Sequence, residues 1–272
     1  MLRLTCKGFT LVELVIAIIL LAIVGTFSFR FIGLGADVFR DASARSQLVS
    51  QSRFALERLS RELRNALPLS VRVYDGQHCI EYTPILTSGE YIDAPTSANP
   101  GNTVTAMAPL QRKTQPVPAR YLVIYNTKLN AIYGTSGQRY RIDARQRDAG
   151  SHTIDFTLSD SESDPIEFNL IGPSRRYYEV SPPVSWCYLP DNGQIRRYQS
   201  TDFNVAPPAP SVVANGELMA EQLRNDNSEP VFEVDNITLS QNNLVLIDFV
   251  FERDDAPEPL RLLYEVHVPN VP

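Results

Sequence analysis

The 272-residue sequence predicts an α+β protein in which one long N-terminal helix packs on an antiparallel β-rich globular domain. The first half of the helix is apolar enough to be transmembrane. Three observations predict this fold: residues 9–29 are almost wholly apolar, residues 36–67 repeat apolar side chains at helical spacing without proline or glycine, and residues 231–268 alternate at the period of strands.

Composition excludes several classes of protein. The chain is 43% hydrophobic and 21% charged, which suits a packed core and not a disordered chain. A net charge of −6 disfavours nucleic-acid binding, which needs a basic surface. The sequence contains no HExxH, CxxC, GxSxG, Walker A or GxGxxG motif, so we expect no enzyme activity, no cofactor and no metal site.

The apolar run of residues 9–29 contains a single charged residue, Glu13. A helix of this length covers about 30 Å, the thickness of a bilayer core. Arg3 and Lys7 precede the run, which predicts a cytoplasmic N-terminus with the bulk of the chain on the other side of the membrane. A carboxylate inside a span costs up to about 2.5–3.5 kcal/mol, so Glu13 needs a partner.

Three ordinary interpretations of this N-terminus fit poorly. A secretory signal peptide would end in small residues at a cleavage site, whereas here GTFSFRFIG follows the apolar core. A lipoprotein modified at Cys6 would carry its apolar run before the cysteine and not after it. A plain signal anchor fits the hydropathy but leaves Glu13 unexplained.

The segment from Lys7 to Leu14, KGFTLVEL, resembles the processing motif of the type IV pilin family. The resemblance implies a type IV pilin-like fold, in which prepilin peptidase/methyltransferase cuts between Gly8 and Phe9 and methylates Phe9. It also implies that Glu13 meets the N-terminal amine of a neighbouring subunit, since opposite charges in a low dielectric attract strongly. The expected organisation is a leader over residues 1–8, a helix over 9–67 (transmembrane over 9–29) and an extracytoplasmic β-rich domain over 68–272.

The second half of the helix is predicted to be amphipathic and to end at Leu67, before Pro68. Its apolar stripe consists of Leu48, Ser52, Ala55, Leu59, Leu63 and Ala66, flanked by Leu56 and Leu67. The pairs Glu57–Arg61 and Arg58–Glu62 are expected on the outward face. Gly25, Gly33 and Gly35 interrupt the sequence near the membrane boundary, either as tolerated small residues or as points where the helix bends.

The remainder of the chain is predicted to be strands separated by turns. The expected strands are Tyr121–Tyr125, His152–Leu158, Ile166–Leu170, Val184–Leu189 and Ile195–Gln199, followed by a C-terminal meander of Val231–Leu239, Leu244–Glu252 and Leu260–Val268. The meander is expected to bury one face. Residues 88–118 are expected to form a long surface loop, and residues 218–223 a short helical turn.

Loss of the leader removes Cys6 and leaves Cys79 and Cys187 in the mature chain. An even number of cysteines outside the cytoplasm indicates a disulfide. A buried pair of free thiols is the alternative, and a metal site would need more ligands than two sulfurs.

Other candidate groups carry weaker interpretations. His78, His152 and His267 are isolated, and a Cys79 engaged in a disulfide could not act as a nucleophile beside His78. Asp160, Glu162 and Asp164 form either a solvated loop or a weak calcium site. The segments 174–178 and 195–198 combine arginine with tyrosine, as either strand-edge residues or a surface for a sugar or a protein partner.

The resemblance extends beyond the motif to residues 60–68, to residues 184–188 with the 191–193 turn and residues 197–198, and to the C-terminal meander. These segments resemble large minor pilins of the mannose-sensitive haemagglutinin (MSHA) type and, more distantly, J-type minor pseudopilins of type II secretion. The resemblance implies partners among major and minor pilins, the processing peptidase and an inner-membrane assembly platform. It implies a role in assembly at a filament tip, with a tip adhesin or a secretion pseudopilin as the alternatives.

Overall fold

The computed structural model describes residues 8–109, 120–134, 137–148, 150–160, 165–207, 216–235, 243–252 and 259–269. The chain forms two compact units divided between Gln51 and Ser52. A single long helix, α1 (Leu11–Arg64), begins in the first unit and ends in the second. A β-rich part follows it, so the predicted α+β class with one long N-terminal helix is confirmed.

The described residues after α1 form mainly short antiparallel strands. The first seven strands are β1 (Arg72–Tyr74), β2 (Cys79–Tyr82), β3 (Ile85–Asp93), β4 (Thr103–Met107), β5 (Tyr121–Ile124), β6 (Arg139–Asp148) and β7 (Thr153–Ser159), with a short helix α2 (Leu129–Tyr133) after β5. The other seven are β8 (Arg176–Val180), β9 (Val184–Leu189), β10 (Gln194–Gln199), β11 (Glu217–Glu221), β12 (Phe232–Val234), β13 (Asn243–Phe251) and β14 (Leu260–Val268).

These strands build three antiparallel groups. A closed barrel has the strand order β3-β4-β7-β6-β5-β8, a five-stranded sheet has the order β1-β2-β9-β10-β11, and a three-stranded sheet has the order β12-β13-β14. Apolar and aromatic side chains fill the barrel, including the fully buried Phe156 and Tyr177. The β-rich part therefore has a core of its own.

The predicted apolar stripe of the helix is confirmed. Ser52, Ala55, Leu59 and Leu63 are fully buried, and Ala66 is 3% exposed. The helix ends at Arg64, three residues before the predicted end at Leu67. The reason is a change of hydrogen-bond partner: the N–H of Leu67 donates to the carbonyl of Thr83 at 2.8 Å, outside the helix.

Three predicted elements are wrong. Residues 88–118 are not one loop, because β3 extends to Asp93 and β4 follows within this stretch; residues 110–118 lie outside the described part. The segment 166–170 forms only an isolated bridge from Ile166 to Gly101. The segment 218–223 belongs mostly to strand β11, which pairs with β10, and is not a helical turn. In each case pairing between distant segments overrides the local pattern.

The C-terminal meander is confirmed, and β14 has the predicted bounds. Strand β13 alternates buried and half-buried residues along its whole length, as one buried face requires. Strand β12 is shorter than predicted, at three residues. The predicted turns lie mostly outside the described residues, over 241–242 and 254–258.

Candidate functional site

The chain enters helix α1 through three non-helical residues, Gly8 to Thr10. Phe9 is 71% exposed, and a Cβ placed on Gly8 would have nothing within 4 Å. The bond between Gly8 and Phe9 therefore lies in accessible, non-helical chain immediately before the helix, which suits recognition by a processing enzyme. Residues 1–7, including Cys6 and the basic residues Arg3 and Lys7, lie outside the described part.

Glu13 closes a capping box with Thr10 at the start of the helix. The N–H of Glu13 donates to Oγ1 of Thr10 at 3.3 Å. In return, Oε2 of Glu13 accepts the Thr10 N–H at 3.3 Å and the Thr10 hydroxyl at 3.1 Å. This reciprocal arrangement satisfies helix N-terminal donors that have no partner within the helix. In an isolated subunit, Glu13 thus has an internal partner that the sequence analysis does not identify.

The first unit is a helix whose apolar side chains are exposed. Leu21 is 72% exposed, Phe27 69% and Phe31 82%. Each such side chain gains about 1.5–3 kcal/mol when it leaves water. The helix is long and apolar enough to cross a membrane, and none of its most apolar window is buried within the chain. These side chains require lipid or the helices of other subunits.

Gly25, Gly33 and Gly35 lie within the continuous helix α1. A Cβ added at any of them would meet nothing within 4 Å. No contact within the described chain therefore requires a small residue at these positions. The interpretation that they allow the helix to bend stays a prediction.

The C-terminal half of α1 carries a partly buried polar cluster centred on Glu62. Oε2 of Glu62 accepts hydrogen bonds from Nε1 of Trp186 at 3.1 Å, from Nε of Arg197 at 3.1 Å and from the Tyr82 hydroxyl. Its Oε1 accepts from Nε of Arg58 at 3.2 Å. Glu62 therefore joins the helix to strands β2, β9 and β10, and the prediction that it lies on the outward face is wrong.

The electrostatics of this cluster favour an ionised Glu62. Burial alone would raise the pKa of its carboxyl group, but the hydrogen bonds from Tyr82, Arg197 and Trp186 and the positive charge of Arg197 outweigh burial. The pKa of Glu62 consequently lies below its usual value of 4.5.

Cys79 and Cys187 form a disulfide between directly opposed positions of β2 and β9. Both cysteines are fully buried, and the Tyr74 hydroxyl lies 3.5 Å from Sγ of Cys187. The cysteines are 108 residues apart in the sequence, and the bridge joins β2 to β9, the central strand of the five-stranded sheet. Because such bonds persist in oxidising compartments, it suits a location outside the cytoplasm.

Among the described residues, the weaker candidate groups do not come together in one site. Among the residues that the structure describes, no three His, Cys, Asp or Glu side chains are grouped for metal binding. Glu162 and Asp164 of the acidic stretch lie outside these residues. Arg175 and Arg176 are exposed, whereas Tyr177 is buried inside the barrel and Tyr178 is buried in a second apolar cluster with Leu67, so segment 174–178 forms no common surface.

In the second arginine–tyrosine segment, residues 195–198, no side chain is fully exposed. Arg197 turns inward to Glu62, and Tyr198 is only 6% exposed beside the disulfide. His78 packs edge-on against Tyr188, with ring centroids 5.7 Å apart. These residues therefore serve the packing of the five-stranded sheet and not one shared binding surface.

The N-terminal residues match the family model described as the prokaryotic N-terminal methylation motif, over residues 3–29. No curated protein and no solved structure matches the chain. The motif indicates a type IV pilin or pseudopilin that prepilin peptidase processes, and hence a structural protein that assembles with other pilins. Together with the exposed apolar helix, it suits anchoring in a membrane.

Proposed function

We propose that this protein is a minor pilin of a type IV pilus of the MSHA type, which acts in pilus assembly or initiation at the filament tip. The observation that carries the proposal is the methylation motif at the start of a helix whose apolar side chains are exposed. A helix with this surface is stable only in lipid or among similar helices, and a filament supplies the second environment after the membrane has supplied the first.

In the proposed sequence of events, the precursor inserts with its N-terminus in the cytoplasm and its β-rich domain in the periplasm. Prepilin peptidase removes residues 1–8 as a leader and methylates Phe9. The new amine of one subunit and Glu13 of its neighbour then pair within the apolar bundle, where each offsets the desolvation of the other. Glu13 exchanges its bonds to Thr10 for this intermolecular contact.

The size of the β-rich part supports a minor role in the filament. A barrel and two further sheets follow the helix, over about 200 residues that include the disulfide Cys79–Cys187. If this subunit were repeated along the filament shaft, its large β-rich domain would clash with those of its neighbours. At the filament tip the domain has no subunit above it. Residues 60–68, 184–188, 191–193 and 197–198 and the C-terminal meander resemble the MSHA minor pilin MshO, which supports the assignment within the family.

The experiment is to count surface pili per cell after deletion of the gene, beside a complemented strain. Loss of pili that complementation restores is the expected result. Normal pili with lost attachment would contradict the assembly role and indicate a tip adhesin for a glycan or another surface. Normal pili with a block in protein secretion would indicate a pseudopilin.

A further inference from the structure

The C-terminal sheet ends in a long strand with an open edge. Strand β14 pairs with β13 over nine consecutive positions without a bulge, and among the described strands it pairs with no other. Proteins usually protect such an edge with charged side chains, proline, a bulge or a covering segment, because its free N–H and C=O groups can accept a further strand. Residues 260–268 contain no proline.

The hydrogen bonds of β13 show which of its residues face β12. The N–H of Asp235 donates to the carbonyl of Leu244 at 2.9 Å, and the N–H of Asp248 donates to the carbonyl of Val231 at 3.0 Å. Both β13 residues are even-numbered. In an antiparallel ladder the N–H and C=O of one residue point the same way, so even-numbered residues of β13 bond toward β12 and odd-numbered ones toward β14.

The register then assigns the free edge of β14. Ile247 lies opposite Tyr264, so odd-numbered residues of β13 bond to even-numbered residues of β14. The N–H and C=O groups of Arg261, Leu263, Glu265 and His267 consequently point away from β13, toward the open side. We call this row of four residues the β14 edge. A row of alternating donors and acceptors is satisfied by an extended backbone.

The side chains beside the β14 edge differ between the two faces of the sheet: the inner face is apolar and partly exposed, whereas the outer face combines Leu263 with the charged side chains of Arg261 and Glu265. Leu263, on the outer face, is 67% exposed. Tyr264, on the inner face, is 39% exposed, and Leu260 and Leu262 beside it are half-buried, although Val266 farther along is fully buried. An added strand that carries apolar residues on its inner face would cover Tyr264 and its neighbours.

The outer face next to the edge is acidic. A groove of about 340 Å³ is lined by Glu229, Pro230, Val231, Glu233, Leu246, Asp248, Arg261 and Leu263. Its one cation, Arg261, is bound by Asp248 at 3.0 Å and lies 3.7 Å from Glu229. Leu246 lies opposite Glu233 on β12 and opposite Glu265 on β14. Glu265 therefore adds a fourth carboxylate to the same face as Glu229, Glu233 and Asp248. The acidic surplus favours a partner with basic side chains on this face.

We propose that the β14 edge binds an extended segment of another protein chain as an additional strand, with apolar side chains on its inner face and Lys or Arg on its outer face. A second copy of this chain fits less well, because its own edge would bring a second acidic surface beside the first. The proposal concerns a partner of the β-rich domain and goes beyond the assembly role of the N-terminal motif.

The test measures binding of two labelled peptides to the full-length protein in neutral detergent by fluorescence anisotropy. The peptides are KVKVKVKVK and EVEVEVEVE, which as strands present the same valine face and opposite charges. The basic peptide is expected to bind roughly tenfold more tightly, with a difference that shrinks in high salt. Equal binding of the two peptides, or no binding of either, would overturn the proposal.

Variants at the edge separate strand addition from general charge attraction. Leu263→Pro removes an N–H that points to the open side and is expected to weaken binding of the basic peptide roughly tenfold, whereas Leu263→Thr keeps that N–H and binding. Glu265→Lys, at an exposed position that need not affect folding, leaves three carboxylates beside two cations and is expected to reduce the preference for the basic peptide. Retained binding by a folded Leu263→Pro protein, or an unchanged preference in Glu265→Lys, would overturn the proposal. If the protein forms dimers without any peptide and Leu263→Pro converts them to monomers, the edge binds a second copy of this chain, and the proposal is overturned.

Discussion

The carboxylate of Glu62 is the only acceptor in the cluster that takes hydrogen bonds from both Tyr82 and Trp186, whose side chains are fully buried. Glu62→Ala would leave both donors without this partner in the protein interior. We expect the variant to lower the free energy of unfolding by roughly 1.5–3 kcal/mol, the range for hydrogen bonds to a charged group. Urea unfolding measures this, with Glu57→Ala at an exposed helix position as the matched control, for which a change within about 0.5 kcal/mol is expected.

The same residue predicts a pH dependence of stability. Because the pKa of Glu62 is lower in the folded protein than its usual value of 4.5, its contribution is fully present above that value. It is lost as the pH falls through the lower pKa of the folded state. The stability difference between the wild-type protein and Glu62→Ala is therefore expected to narrow in unfolding experiments below pH 4.5. A difference that stays constant down to pH 2–3, or roughly that range, would contradict an ionised Glu62.

Gly8 is the residue at which processing can be tested without disturbing the fold. Since an added Cβ would meet nothing within 4 Å, Gly8→Val should leave the rest of the chain unchanged. We expect it to block cleavage, so that mass spectrometry of the membrane-bound protein finds the leader still attached. The wild-type protein should begin at methylated Phe9. Normal cleavage of Gly8→Val would argue against a processing site between residues 8 and 9.

Part of the residue-level site could be predicted from the sequence and part could not. The motif around Glu13 is contiguous, so its residues are identified directly, but the capping bonds to Thr10 depend on where the helix begins. Glu62 illustrates the opposite case: its spacing from Arg58 suggests an exposed ion pair, whereas its partners Trp186 and Arg197 are more than a hundred residues away. A usable indication exists, because Glu62 lies three residues after buried Leu59 and four before buried Ala66.

Among the elements, strands β2 and β9 are the pair that the disulfide Cys79–Cys187 joins. Cross-linking a loop of about 100 residues stabilises the folded state by up to about 4.7 kcal/mol in the chain-entropy model. We expect the double variant Cys79→Ala/Cys187→Ala to lose roughly 2–5 kcal/mol of unfolding free energy. Treatment of the wild-type protein with a reductant should bring its denaturation midpoint toward that of the variant. An unchanged midpoint in both experiments would mean that the bridge contributes little.

The predictability of each element follows from the range of its hydrogen bonds. Helix α1 and the C-terminal meander have strong local periodicity, and both are predicted. The barrel depends on β8, which pairs with β3, about 90 residues earlier in the chain, and with β5, about 55 residues earlier. Strand β11 has the sequence ELMAE, whose residues favour helices, yet pairing with β10 places it in a sheet.

At the scale of the whole molecule, two surfaces of the described residues are expected to be covered by partner molecules. The N-terminal helix exposes an almost continuous apolar surface, and the β14 edge exposes backbone groups beside an acidic groove. The first surface is evident from hydropathy. The second is not, because it depends on the order of strands in a sheet and on the direction of their hydrogen bonds. Together they fit a subunit that is inserted by its helix and contacts further proteins through its β-rich domain.

The central claim is that Glu13 acts between subunits and not only as a helix cap. Glu13→Gln removes the charge but keeps an oxygen that can accept from Thr10, whereas Thr10→Val removes the capping hydroxyl and keeps the charge. Loss of the cap costs about 1 kcal/mol of helix stability. Loss of an ion pair in a low dielectric costs more, and each 1.4 kcal/mol changes an equilibrium about tenfold.

The most direct measurement is the amount of each variant in sheared filaments relative to the processed protein in the membrane. The account predicts that Thr10→Val enters filaments at nearly the wild-type level, while Glu13→Gln is processed normally but is depleted more than about tenfold. Normal incorporation of Glu13→Gln together with loss of Thr10→Val would contradict the account, because it would show that the capping box is the function of Glu13.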